Sequence, residues 1–144
     1  MPTVTAVNQE NNSRFTVTFA ATGQTVLTDP PAGHGGDGTS FAPTDLVDAA
    51  LLSCTGATII AKAKSLGLDA KGIRLTSSHE MADAPRRIAS LDVAVQMPFS
   101  AEERQKKSLM AAAKGCTVRN SLRADIRIKL KFTWADGSID TVEE

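Results

Sequence analysis

Apolar and polar residues alternate through residues 3–7 (TVTAV) and 14–19 (RFTVTF), and the β-branched content of both stretches predicts strands. Residues 9–12 (QENN) supply a turn between them. Residues 21–23 (ATG) supply a second turn, and residues 24–28 a short third strand. The expected unit is a three-stranded meander. Residues 30–40 (PPAGHGGDGTS) interrupt the alternation with a loop rich in Gly and Pro. Beyond the loop the period becomes helical. Pro43 suits a first helical turn, where its missing N–H is no loss. Asp45 and Asp48 in the opening turns, and Lys62 and Lys64 near the end, complement the helix dipole. Gly67 is a C-terminal stop, so a helix is expected over residues 44–66.

The middle of that helix, residues 49–61, carries no charge on any face. A helix that is apolar all round must be buried all round. Small residues at Ala50, Ser53, Gly56, Ala57 and Ala61 lie at helical spacing and permit another helix to approach closely. A chain of 144 residues has little material to bury such a helix completely. A second subunit covering part of it is therefore expected. The alternative is a helix lying between a sheet and the second helix of the same chain. The charge-free run is shorter than the about 20 residues a bilayer-spanning helix needs, so no membrane partner is expected.

Alternation returns in residues 73–79 (IRLTSSH) and 87–95 (RIASLDVAV), which flank a hairpin-sized connection at residues 81–85. Pro98 ends the second of these strands. Residues 100–103 (SAEE) read as a capping box before an amphipathic helix running to about Lys114. Gly115 stops it, Cys116 follows at once, and residues 117–122 allow a further helical turn. Residues 125–134 (DIRIKLKFTW) alternate strictly. Ile126, Ile128, Leu130, Phe132 and Trp134 face one way, while Arg127, Lys129 and Lys131 face the other, as in a strand with one solvated face. The last ten residues read as an acidic tail. The expected order is β-β-β-α-β-β-α-β in a single domain spanning residues 1–144. Its class is α+β, with meandering sheets packed on a long central helix.

Charge narrows the choice of partners. Lys+Arg is 16 and Asp+Glu is 16, a net charge of zero, which argues against a nucleic-acid binder or a polybasic membrane clamp. No apolar run near the N-terminus resembles a signal peptide, so a cytoplasmic location is expected. Thiols stay mostly reduced there, and a transient catalytic disulfide is more expected than a structural one. The two cysteines, Cys54 and Cys116, are too few for a disulfide scaffold or a four-cysteine zinc site, and their spacing is not that of a metal-ligand pair. Cys54, mid-helix in an apolar stretch, is either a small core hydrophobe or a reactive thiol that needs a cationic partner. Cys116 is either a chance loop cysteine or a thiol at a new helix N-terminus. Backbone N–H groups there would stabilise a thiolate, and Arg119 and Arg123 are near in sequence. If the fold brings the two within disulfide reach, they form a peroxidatic and resolving pair. One thiolate attacks an oxidant, becomes a sulfenic acid, and is captured by the other.

Other candidates carry less. His34, in the loop, and His79, at a strand end, have no metal-ligand spacing around them, and no bound metal is expected. The GHGGDG loop lacks the Lys-Ser/Thr ending of a phosphate-binding loop. No G-x-S-x-G elbow is present. Arg86 and Arg87 read as a solvated strand start, and Lys106 and Lys107 as a solubilising polar face of the second helix.

Two stretches in register bring in a family. Residues 38–54 (GTSFAPTDLVDAALLSC) resemble the OsmC/Ohr segment in which Ser-Pro or Asn-Pro with acidic residues opens a long helix carrying Ala-Ala and a Cys. Residues 116–122 (CTVRNSL) resemble that family's second-cysteine motif, with Thr117 where the family has Pro. The resemblance implies an intertwined homodimer with two central cysteine-bearing helices wrapped by sheets and the active site at the subunit interface. It implies thiol-dependent reduction of organic hydroperoxides, with Cys54 attacking, Cys116 resolving, no bound cofactor, and an external dithiol reopening the disulfide. The apolar helix wall favours an alkyl or fatty-acyl hydroperoxide. The family holds its attacking thiolate with an arginine from the N-terminal part and a glutamate near the start of the long helix. Arg14 and Asp45 are the residues nearest those places. A non-enzymatic protein of the same fold that binds small apolar ligands, or a thiol redox sensor, are the alternatives.

Overall fold

A computed structural model describes residues 1–143. In chain order the elements are β1 (Val4–Val7), β2 (Phe15–Phe19), β3 (Thr25–Thr28), α1 (Pro43–Ser65), β4 (Arg74–Ala82), β5 (Arg87–Gln96), α2 (Glu103–Lys114), α3 (Thr117–Ser121), β6 (Arg127–Thr133) and β7 (Ile139–Glu143). The chain forms two compact units, Met1–Val47 and a second from Asp48 onward. The boundary falls within α1. The class is the expected α+β.

The first unit is the expected meander: β1, β2 and β3 pair antiparallel in that order. The loop after β3 closes on Asp29, whose side chain is fully buried. Its carboxylate accepts the backbone N–H groups of Asp37 and Thr39, each at 3.0 Å, and the Thr39 hydroxyl at 2.5 Å. The Thr39 hydroxyl first, and then these N–H groups, hold the Asp29 carboxyl down to about 2. A Cβ on Gly36 would run into the Pro30 carbonyl and the Asp29 carboxylate, so the glycine permits the close wrap. The Gly-rich loop cradles an anion after all, but the anion is the chain's own carboxylate.

The second unit is a four-stranded sheet, β4-β5-β6-β7, covered by helices. Only β5 and β6 run parallel, and α2 and α3 make the crossover that a parallel pair requires. Alternate residues Leu91, Val93 and Val95 of β5 and Ile128, Leu130 and Phe132 of β6 are buried. They share one core with Leu51, Ile59 and Ala63 of α1, Leu109 and Ala113 of α2, Cys116 and Trp134. The alternation read for β6 thus describes its two faces.

Four expectations are corrected. The C-terminal stretch is not a tail: β7 pairs antiparallel with β6, and its Glu143 meets the basic outer face of that strand. Arg127 Nη1 donates to Glu143 Oε1 at 2.9 Å, and the Trp134 indole N–H donates to Asp140 Oδ2 at 2.8 Å. Glu144 lies outside the described residues. Lys106 does not solubilise α2; it is 5% exposed, because the β6–β7 hairpin lies over it. Its ammonium donates to Ser138 Oγ at 3.0 Å and sits 5.2 Å from the Trp134 ring centre. The α2 cap is Glu102, whose N–H donates to Gln105 Oε1 at 3.3 Å, not Ser100. Finally, β4 runs through Ala82, so His79 lies within the strand rather than at its end. The further helical turn allowed over residues 117–122 is formed, as α3.

In α1, residues Leu51, Thr55, Ile59 and Ala63 form a buried line at four-residue spacing. Ala49, Ala50, Ser53, Ala57 and Ala61 are exposed. Within one chain the burial of this helix is one-sided. The helix has the length and apolar composition of a membrane span, and its buried line belongs to the core of the second unit.

Candidate active site

The second unit brings the two cysteines together. Gly115 closes α2, its N–H donating to Ala112 O at 3.0 Å, and the Cys116 carbonyl accepts the Asn120 N–H at 3.1 Å to open α3. Cys116 is thereby fixed at the hinge between two helices and is completely buried. Cys54 faces it from the middle of α1 and is half-buried. Both are free thiols, and each lies near enough to alter the ionisation of the other.

The surroundings drive the two thiols in opposite directions. The Cys54 thiol is pushed below its ordinary value. The Cys116 thiol does most of this by donating to it, and the backbone N–H groups of Val118 and Thr117 add to the effect, while partial burial opposes them. Donors aimed at a sulfur favour its charged form. The Cys116 thiol is pushed up, first by burial, then by its bond to Cys54 and by negative charge there. The Arg119 backbone N–H and the Thr55 hydroxyl pull it the other way. The groups that lower Cys54 are a thiol and two peptide N–H groups, none of them a cation.

The remaining sequence candidates have other partners. Asp45 Oδ2 accepts the Ala42 N–H at 2.8 Å and so secures the start of α1. Arg14 lies just before β2. Its guanidinium reaches Asp29 at 3.4 Å and Asp37 at 2.5 Å, bridging the loop to the meander. His79 Nδ1 hydrogen-bonds Asp48 Oδ2, and Ser77 Oγ donates to the other oxygen of Asp48 at 2.6 Å. The one carboxylate–imidazole contact in the second unit is, among the described residues, spent on tying α1 to β4. Thr55 escaped the sequence reading. Its only signal there was a hydroxyl on the core face of an otherwise apolar helix.

Two free thiols that influence each other, one on a long helix and one at the start of a short helix in an α+β fold, make this a small two-cysteine protein. The chain belongs to the OsmC-like protein family, which it matches over residues 35–131, a span that includes both cysteines. Among curated proteins no match is found. Among solved structures, a Psychrobacter arcticus protein named for osmotic stress induction and detoxification response is 26% identical. The alignment covers 92% of this chain and 96% of that one, with a TM-score of 0.86. The organic hydroperoxide resistance protein OsmC of Legionella pneumophila shares 20% identity over 90% of this chain and 93% of its own, at 0.68. OhrB, the organic hydroperoxide resistance protein of Bacillus subtilis, shares 18% over 90% and 95%, at 0.67. The latter two likenesses are of fold.

Proposed function

We propose that the protein is a thiol peroxidase that reduces organic hydroperoxides, with Cys54 as attacking thiolate and Cys116 as resolving thiol. The observation that carries this reading is the pair's opposed electrostatics. A half-buried thiol is biased toward its anion by a buried one that donates to it. The names of two structural neighbours, both organic hydroperoxide resistance proteins, support the substrate class.

The Cys54 thiolate attacks the terminal oxygen of ROOH, the O–O bond breaks, and RO⁻ leaves and takes a proton from water. Cys54 is then a sulfenic acid. Its negative charge is gone, and with it two of the effects that hold the Cys116 proton in place. The buried thiol is released for ionisation only after the peroxide has reacted. Cys116 then attacks the Cys54 sulfur, water leaves, and a disulfide remains. An external dithiol returns both thiols by exchange and carries the oxidation away. No bound cofactor enters this sequence. On the α1 surface Cys54 neighbours Ala50, Ala57 and Thr58, a wall suited to an alkyl or acyl tail.

The homodimer belongs to the same proposal. The exposed small-residue stripe of α1 and the exposed Val4, Phe15, Phe19, Val26 and Phe41 of the first unit are apolar surfaces that a second copy would cover. Arg14 enters as the guanidinium that steadies the peroxide, and Asp45 as the residue that sets the start of the cysteine-bearing helix. In a dithiol-coupled assay, wild type should consume an alkyl hydroperoxide catalytically, and Cys54→Ser should fall to the uncatalysed rate. Turnover that survives in Cys54→Ser would remove Cys54 from the chemistry.

A further inference from the structure

The four-stranded sheet has a second face, turned away from α1 and the core. The strand registers set out that face in rows. Thr76 of β4, Ala94 of β5 and Lys131 of β6 stand in one row, and Ser78, Asp92, Lys129 and the Glu143 of β7 in the next. Arg127 follows on β6, so that strand presents three cations in line. The carboxylates gather at the Arg127 end. Its guanidinium lies 2.9 Å from Glu143 and 3.9 Å from Asp92, the two acids that flank Lys129 across the ladder. Among the described residues, neither Lys129 nor Lys131 has an ion-pair partner. Lys129 is half-buried all the same. Strand β6 is interior to the sheet, so these lysines do not serve to block pairing at an edge. The chain as a whole carries no net charge, so they are not part of a general basicity either.

Between these lysines and the hydroxyls of Thr76 and Ser78, the small side chain of Ala94 leaves a hollow of about 370 Å³. Successive outward residues of a strand stand about 7 Å apart, so two ammonium groups on flexible stems can close on one oxyanion between them. Lysine binds phosphate as a point charge, and the Thr76 and Ser78 hydroxyls are donors for its further oxygens. Asp92 borders the hollow on the Arg127 side, which favours an anion at the Ala94 and Lys131 end. We infer that this face is a binding site for a small soluble phosphate monoester, held by Lys129 and Lys131 over Ala94, with Thr76 and Ser78 donating to it. The face is opposite to the one packed on α1, so a contact between the exposed stripes of two α1 helices leaves it open. The site is independent of the thiol chemistry and of the peroxidase reading.

A hydrogen bond to a charged group is worth roughly ten- to a hundred-fold in a dissociation constant. The probe is glycerol 3-phosphate, titrated into reduced wild-type protein and followed by amide chemical shifts. The amides of Thr76, Ala94, Lys129 and Lys131 should shift together and saturate along one curve. The double variant Lys129→Gln, Lys131→Gln should weaken binding by at least that factor. Lys107→Gln removes an exposed lysine from α2 and should leave binding unchanged. Ala94→Ile keeps both lysines, fills the hollow, and should weaken binding as far as their loss does. Dimethyl phosphate, a monoanion, should bind less tightly than the monoester. Shifts that do not saturate, an equal loss in Lys107→Gln, or undiminished binding in Ala94→Ile would mean diffuse attraction to surface lysines and overturn the site. Equal binding of dimethyl phosphate would overturn the choice of a monoester. Retention by vesicles of phosphatidic acid in phosphatidylcholine, with no shift produced by glycerol 3-phosphate, would overturn a soluble ligand.

Discussion

At Cys54, ionisation is favoured by hydrogen-bond donors rather than by a neighbouring cation. The order of those donors gives a prediction. The Cys116 thiol is the largest, ahead of the Val118 and Thr117 N–H groups. Removing it with Cys116→Ala takes a donor from the thiolate and leaves the protonated form unaffected, so the Cys54 pKa must rise. The midpoint of Cys54 alkylation against pH should therefore move up in Cys116→Ala, while the Val118 and Thr117 N–H groups keep it from rising further. A midpoint that stays or falls would show that Cys116 is not the principal donor. At this scale the sequence was legible in part. It marked both cysteines, and it placed Cys116 at a helix start where N–H groups would be available. It looked for a charged partner near Cys54 because side chains are visible in a sequence and peptide N–H groups are not. Thr55 was hidden for a related reason: a threonine on a helix is ordinary until its long-range neighbour is known.

Among the elements, α1 carries the most. Its buried line is set into the same core as the inward faces of β5 and β6, and this seats Cys54 opposite the α2–α3 hinge. Leu51→Ala, one turn before Thr55 on that line, should lower the unfolding free energy by roughly 2–5 kcal/mol, as for other buried leucines truncated in a packed core. Chemical denaturation checks this, and a loss within a few tenths of a kcal/mol would mean that α1 is not seated as described. Helix and strand identities were readable wherever period and punctuation agreed, as in Pro43 to Gly67 and in the alternation of β6. They failed where composition was taken as conformation. Residues 135–143 are acidic, yet Ile139 and Val142 stand among the charges and Glu143 pairs with Arg127, so a strand forms along β6. Lys106 looked solvated because a helical pattern cannot show that a later hairpin will cover it.

For the whole molecule, apolar surface is the outstanding property. The charge-free helix predicted burial on every side, and within one chain α1 still exposes Ala49, Ala50, Ser53, Ala57 and Ala61. The dimer proposed above makes Ala57 an interface residue. Ala57→Glu places an unpaired charge there and should shift the protein from dimer to monomer in sedimentation equilibrium at equal concentration. A wild-type protein that sediments as a monomer would contradict the proposed dimer.

In the proposed reaction Cys54 and Cys116 act in order on one peroxide. The direct measurement is mass mapping of fully reduced protein treated with one equivalent of an alkyl hydroperoxide, with dimedone present to trap sulfenic acid. Wild type should lose both thiols and yield a peptide pair joined by a Cys54–Cys116 disulfide. Cys116→Ser should stop at a single dimedone adduct on Cys54, and Cys54→Ser should give neither product. An adduct on Cys116, or two free thiols remaining beside consumed peroxide, would contradict it.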